Sequence, residues 1–250
     1  GLCFPSKFTE GDSDITINGL VWMGDIDTML SRIDEKLRQG FHCIKLKIGA
    51  IERESEITMI RHIRETFGTG ELTIRVDANG GFTPDDALDR LVELARYDIH
   101  SIEQPLKPEF AKQTAELCRV SPVAIALDEQ LIGVSDTEAK VRMLEEIAPQ
   151  YIILKPSLCG GFSGAEEGIA LAGERSIGWW VTSALESNVG LDALAQWTAA
   201  IGAEGPQGLG TGALYTNNFE SPIRLDGERL RYDASARRDN SQFDNLDWRY

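Results

Sequence analysis

Short, nearly continuous apolar runs alternate along the chain with longer stretches whose apolar residues recur every three or four positions. The runs at 15–23, 43–48, 72–77, 101–103, 123–128, 151–155, 179–183 and 208–210 read as strands. Tyr151-Ile-Ile-Leu154 and Val123-Ala-Ile-Ala-Leu127 lack the polar alternation of a half-solvated sheet, so those strands are covered on both faces. The segments 25–39, 52–67, 84–97, 109–119, 136–147, 163–175 and 191–201 predict helices. Thr83-Pro84-Asp85-Asp86 supplies an N-cap, a proline at the first helical position and acids in the first turn. Gly40 sits where a helix ends, and Leu88, Leu91, Val92 and Ala95 predict one buried stripe.

Sevenfold strand–helix alternation predicts an α/β fold, a β/α barrel. A doubly wound open sheet is the rival, but Met23-Gly24-Asp25 carries no GxGxxG after the first strand. The expected organisation is an irregular segment at 1–14, a barrel over 15–214 and a polar C-terminal segment at 215–250.

Length and composition narrow this further. A chain of 250 residues suits one barrel. The net charge of -15 argues against a nucleic-acid partner. Four scattered cysteines without a CxxC pair argue against a disulfide framework or a zinc site and suit the cytoplasm. No apolar run is long enough to predict a membrane span.

The chemistry lies at the strand ends. Successive runs finish in Lys45-Leu-Lys47, Arg75-Val-Asp77-Ala-Asn79, Glu103-Gln-Pro105, Asp128-Glu129 and Lys155-Pro156. A salt bridge or rim position explains one such residue well, but explains the ordered set poorly. In a barrel these ends converge on one mouth. Asp77, Glu103 and Asp128 are therefore expected to meet, and their hard oxygens suit Mg²⁺, with Mn²⁺ as a substitute, better than zinc. Residues two apart share a strand face, so Lys45 and Lys47 both point into the mouth and should lower each other's pKa. Lys155 arrives from across the site. A base, a cation and an opposed ammonium suit removal of a proton next to a carboxylate. Arg75 lies deeper and is expected to pair with an acid behind the site, with Asn79 beside it. Glu129 points away, and His42, His62, His100 and Trp179-Trp180 read as surface or core.

The ordered motifs resemble the muconate-lactonising branch of the enolase superfamily, over about residues 15–215. That resemblance implies a modified TIM (β/α)7β barrel, usually with an N-terminal capping domain that is absent from this chain. It implies Mg²⁺ on Asp77, Glu103 and Asp128, Lys47 as general base, Lys45 as its electrostatic partner and Lys155 opposed. The segment from Thr182 to Gly190 and the stretch Gly208-Leu-Gly-Thr-Gly212 look like the o-succinylbenzoate synthase version. No Asp-x-Asp pair of the dipeptide-epimerase kind stands near Gly210. The implied reaction is dehydration of 2-succinyl-6-hydroxy-2,4-cyclohexadiene-1-carboxylate, a small-molecule carboxylate, in menaquinone biosynthesis. Ser183, Gly208 and Gly210 are the implied succinyl contacts. The missing cap, from the same full-length chain or another, is expected to close the mouth, and the 215–250 segment to pack on it or stay loose. The alternatives are an N-acylamino-acid racemase, a cycloisomerase, an acid-sugar dehydratase, a barrel using Lys155 as a Schiff-base nucleophile, or a catalytically silent scaffold.

Overall fold

Strands that bury both faces need partners on both sides and helices above them, and the chain meets that need by curling one sheet around itself. The computed structural model describes residues 2–212, 214–236 and 241. In chain order the elements are β1 (Ile15–Thr16), β2 (Gly19–Val21), α1 (Ile26–Arg38), β3 (Cys43–Lys47), α2 (Arg53–Thr66), β4 (Thr73–Asp77), α3 (Ala87–Leu94) and β5 (Ile99–Glu103). They continue with α4 (Ala111–Val120), β6 (Ala124–Leu127), α5 (Thr137–Ile147), β7 (Tyr151–Leu154), α6 (Gly161–Glu174), β8 (Gly178–Val181), α7 (Asn188–Ala200), β9 (Ile223–Asp226) and β10 (Arg229–Tyr232).

Strands β2 to β8 form one parallel sheet in sequence order. Its open edges are joined by Gln207 and Gly208. Gln207 donates its backbone N–H to Thr16 O and accepts from Asn18 N, both at 2.9 Å. Gly208 donates to Val181 O at 2.8 Å and accepts from Ser183 N at 3.0 Å. The run expected as a strand at 208–210 is thus a pair of bridges, Ile17 to Gln207 and Thr182 to Gly208. Two residues suffice to close the ring, which gives the modified TIM (β/α)7β barrel.

Other boundaries also moved. The expected strand at 15–23 divides: β1 pairs antiparallel with β10, whereas β2 enters the barrel. The helix expected at 84–97 begins at Ala87, because Asp86 reaches back to accept from Thr83 N and Oγ and holds 84–86 as a turn. Its buried stripe is Ala87, Leu91 and Leu94, while Leu88 and Val92 face outward. Gly40 does end α1, at φ +80, with its N–H on Leu37 O.

Phe8 is fully buried and packs edge-on against Tyr232. β9 and β10 form a hairpin that adds to β1 in a three-stranded sheet. The stretch at 237–250, apart from Ser241, lies outside the described residues.

Candidate active site

Register decides which side chains share a layer of the barrel. Lys45 is opposite Arg75 and Lys47 opposite Asp77 across β3 and β4. Asp77 is opposite Glu103 across β4 and β5, and Glu103 opposite Ala126, two residues before Asp128. Alternation along parallel strands therefore carries Lys47, Asp77, Glu103 and Asp128 to the same end on the inward face.

Asp77, Glu103 and Asp128 are all buried, and each offers an oxygen within 4.8 Å of the others. The lysines close over them. Lys45 Nζ lies 2.9 Å from Asp77 Oδ2 and also pairs with Glu103. Lys47 Nζ is 2.5 Å from Asp77 Oδ2 and donates to Asn79 Oδ1 at 2.7 Å. Lys155 Nζ is 2.5 Å from Asp128 Oδ2. Glu103 Oε1 and Asp128 Oδ1 remain buried without a hydrogen-bond partner. Unsatisfied buried oxygens are costly, and three carboxylates gathered around them fit a hard divalent cation.

Burial and neighbours set the charges. Burial raises the Asp77 pKa, but Lys45 and Lys47 outweigh it and hold the carboxyl below its usual range. Glu103 is pushed up to about 7 by burial, with Asp77 and Asp128 adding to the rise against the pull of Lys45. Burial opposes the charge on Lys45, yet Glu103 and Asp77 overcome it and the pKa rises. The expectation that Lys47 would lower the Lys45 pKa is therefore overturned. Two acids contact the Lys45 ammonium, and attraction at contact exceeds repulsion from a lysine two residues away.

Arg75 also departs from expectation. Its guanidinium pairs with no carboxylate among the described residues; it donates to Pro206 O at 2.8 Å and stacks 4.0 Å over the Trp180 ring. It therefore holds β4 to the closing segment through the barrel interior. Asn79 bridges outward: it accepts from Lys47 and donates Nδ2 to Glu129 Oε1 at 2.7 Å. Glu129, read from sequence as structural, is thus linked to Lys47 through Asn79.

A cavity of ≈ 240 Å³ opens beside the acids, and Lys45, Lys47, Asp77, Lys155, Ser183, Gly208 and Gly210 are among its lining residues. Ser183 lines it, but its hydroxyl is engaged: it donates to Glu186 Oε2 at 2.8 Å and accepts from Thr211 Oγ1 at 2.8 Å and Leu185 N at 2.9 Å. Gly208 needs its missing side chain for packing, because a Cβ there would stand 1.7 Å from Thr182 Oγ1. A Cβ on Gly210 would meet Ile17 at 3.1 Å. Gly208 serves barrel closure, and both glycines line the cavity. Asn18, Leu20 and Trp22 also line the cavity and escaped the sequence reading. Their two-residue spacing was the available signal, hidden because the run had no ionisable end.

The family model for enolase C-terminal domain-like proteins matches residues 28–234. An o-succinylbenzoate synthase from Desulfotalea psychrophila is 54% identical over 91% of this chain and 61% of its own length. The crystal structure of MenC from Desulfotalea psychrophila LSv54 superposes with a TM-score of 0.85 at 52% identity, covering 91% of this chain and 63% of that one. An L-Ala-D/L-Glu epimerase from Bacillus subtilis is 28% identical over 70% of this chain and 47% of its own length. The chain thus spans less than two thirds of the length of these relatives. A barrel closed at Gly208, with three acids and three lysines at its mouth, agrees with that match, and the chain belongs to the enolase C-terminal domain-like family.

Proposed function

We propose that this chain is the barrel of an o-succinylbenzoate synthase, dehydrating 2-succinyl-6-hydroxy-2,4-cyclohexadiene-1-carboxylate in menaquinone biosynthesis. The observation that carries the reading is one cavity with Lys47 and Lys155 on separate strands flanking the three-carboxylate cluster. The likeness to the Desulfotalea protein supports this substrate over those of other relatives.

In this reading Asp77, Glu103 and Asp128 would hold Mg²⁺, which would supply positive charge near the substrate carboxylate. Lys47 Nζ takes the proton from the neighbouring carbon as the C–H bond breaks. It then returns the proton to the departing hydroxyl on the same face, so water leaves and the ring becomes aromatic. Lys155, immediately after β7, faces the opposite side and stabilises developing negative charge. Lys45, tied to Asp77 and Glu103, holds those acids in place. Leu158 and Leu185, which line the cavity yet remain exposed, suit a covering segment from the same chain or another.

The test is dehydration assayed on the full-length protein with Mg²⁺, beside Lys47→Ala. The wild type is expected to turn over, and the variant to lose at least about a hundredfold in kcat. No dehydration with Mg²⁺ or Mn²⁺, or an unimpaired variant, overturns the reading. Faster α-deuterium exchange on N-acylamino acids would reassign the substrate.

A further inference from the structure

Gln104 stands between the strands that carry the three carboxylates, and it touches all of their ends. It follows Glu103 at the end of β5, and it is completely buried. Its backbone N–H donates to Ala126 O on β6 at 2.9 Å, and its carbonyl accepts from Gly80 N, beyond the end of β4, at 2.7 Å. Its side chain reaches further. Oε1 accepts from Asp128 N at 3.1 Å and from Gln130 N at 3.2 Å, while Nε2 donates to Leu106 O at 2.7 Å. Two N–H donors converge on one atom and a carbonyl meets the other, so the amide orientation is chemically unambiguous.

The backbone is held where a residue with a side chain does not rest easily. Gln104 has φ 37, in the left-handed region that glycine and asparagine tolerate and glutamine does not favour. Strain of this kind persists where surrounding structure over-determines it, and it gathers at functional sites. Here the neighbours are Glu103 and Asp128, each with a buried oxygen lacking a partner. An asparagine at 104 would relieve the backbone. Its side chain is one methylene too short to span from the end of β5 to Asp128 N.

We propose that Gln104 is a positioning residue of the cation site: its side-chain amide fixes Asp128 relative to Glu103, at the cost of backbone strain. The proposal rests on the cation-binding reading of Asp77, Glu103 and Asp128, but does not depend on which substrate the enzyme takes. The lysines offset the charge of the acids, but Gln104 is the side chain that ties the backbone at Asp128 to the end of β5.

The experiment measures Mn²⁺ affinity by electron paramagnetic resonance in the full-length protein, alongside urea unfolding of the metal-free protein. Gln104→Asn, which strands the Asp128 and Gln130 N–H groups, is expected to lose stability and to bind Mn²⁺ roughly 10- to 100-fold more weakly, whereas Phe8→Ala, destabilised in the packing against Tyr232, is expected to bind Mn²⁺ as wild type does. Gln104→Glu, protonated in this buried place and equal in reach, is expected to keep affinity within a few fold. A merely structural role would make affinity follow stability across all three variants, with Phe8→Ala losing Mn²⁺ affinity as well. If Gln104→Asn binds Mn²⁺ as wild type does, the positioning role is overturned and the cation site stands. If the wild type itself fails to bind Mn²⁺, the cation reading and this proposal fall together.

Discussion

Glu103 is the residue on which pH acts most directly. Burial beside Asp77 and Asp128 moves its folded pKa up to about 7 from 4.5. A raised carboxyl pKa means the folded state holds the proton more tightly. The stability this provides is complete below the unfolded value and lost as pH rises through the folded one. The metal-free protein should therefore lose stability from this group as pH rises from the ordinary carboxyl range through about 7. Asp77 has the opposite shift, so its contribution is lost only at more acidic pH. Lowered by burial, the pKa of His100 also acts in the opposite sense. Urea titrations of wild type and Glu103→Gln isolate the effect; identical pH slopes for the two would refute it. Mn²⁺ affinity should climb over the same interval, because the cation must displace that proton. At this scale the sequence was informative about identity and poor about charge. Three acids and three lysines were legible from strand ends, but the raised Lys45 pKa depends on Glu103 and Asp77 at contact distance, which only pairing across strands creates.

Among the elements, closure of the barrel is the step with least margin. Two residues, Gln207 and Gly208, join β8 to the start of the sheet. Thr182 occupies the space a side chain on Gly208 would need. Gly208→Ala should cost about 2 kcal/mol, in the range of overpacked cores. Adding Thr182→Ala, which removes the nearest atom, should recover most of that loss by urea denaturation. Equal stability of the single variant and wild type would show that the segment yields freely. The same closure explains why a strand was expected at 208–210. The glycines and single leucine there resemble a weak strand, and no local pattern announces that two hydrogen-bonding residues are enough. Helix α3 shows a related limit: Leu88 and Val92 fit a helical stripe by spacing, but its orientation on the sheet selects Ala87, Leu91 and Leu94 instead.

At the scale of the whole molecule, segments outside the barrel sheet add to its packing. Phe8 packs against Tyr232, and β10 pairs with β1, so residues far apart in sequence form one cover beside the barrel. Removing the buried ring in Phe8→Ala should cost about 3–5 kcal/mol. Measured by urea unfolding, a loss below about 1 kcal/mol would mean this cover adds little to the barrel. Among the described residues no helix is long and apolar enough to cross a membrane. The three central acids are matched by three lysines, so the net charge of -15 comes from elsewhere in the sequence.

Alternation of buried runs with amphipathic segments determined the strand–helix order by itself, because periodicity records which faces must leave water. The recurrence of ionisable residues at successive run ends likewise determined that one end of the barrel carries the chemistry. Tertiary structure alone decided that Arg75 stacks on Trp180 instead of pairing with an acid, that Ser183 spends its hydroxyl on Glu186, and that Gln104 ties the carboxylate-bearing ends together. Each of these depends on strand register and on hydrogen bonds between segments distant along the chain. Local pattern carries no information about such contacts until the sheet has curled and closed.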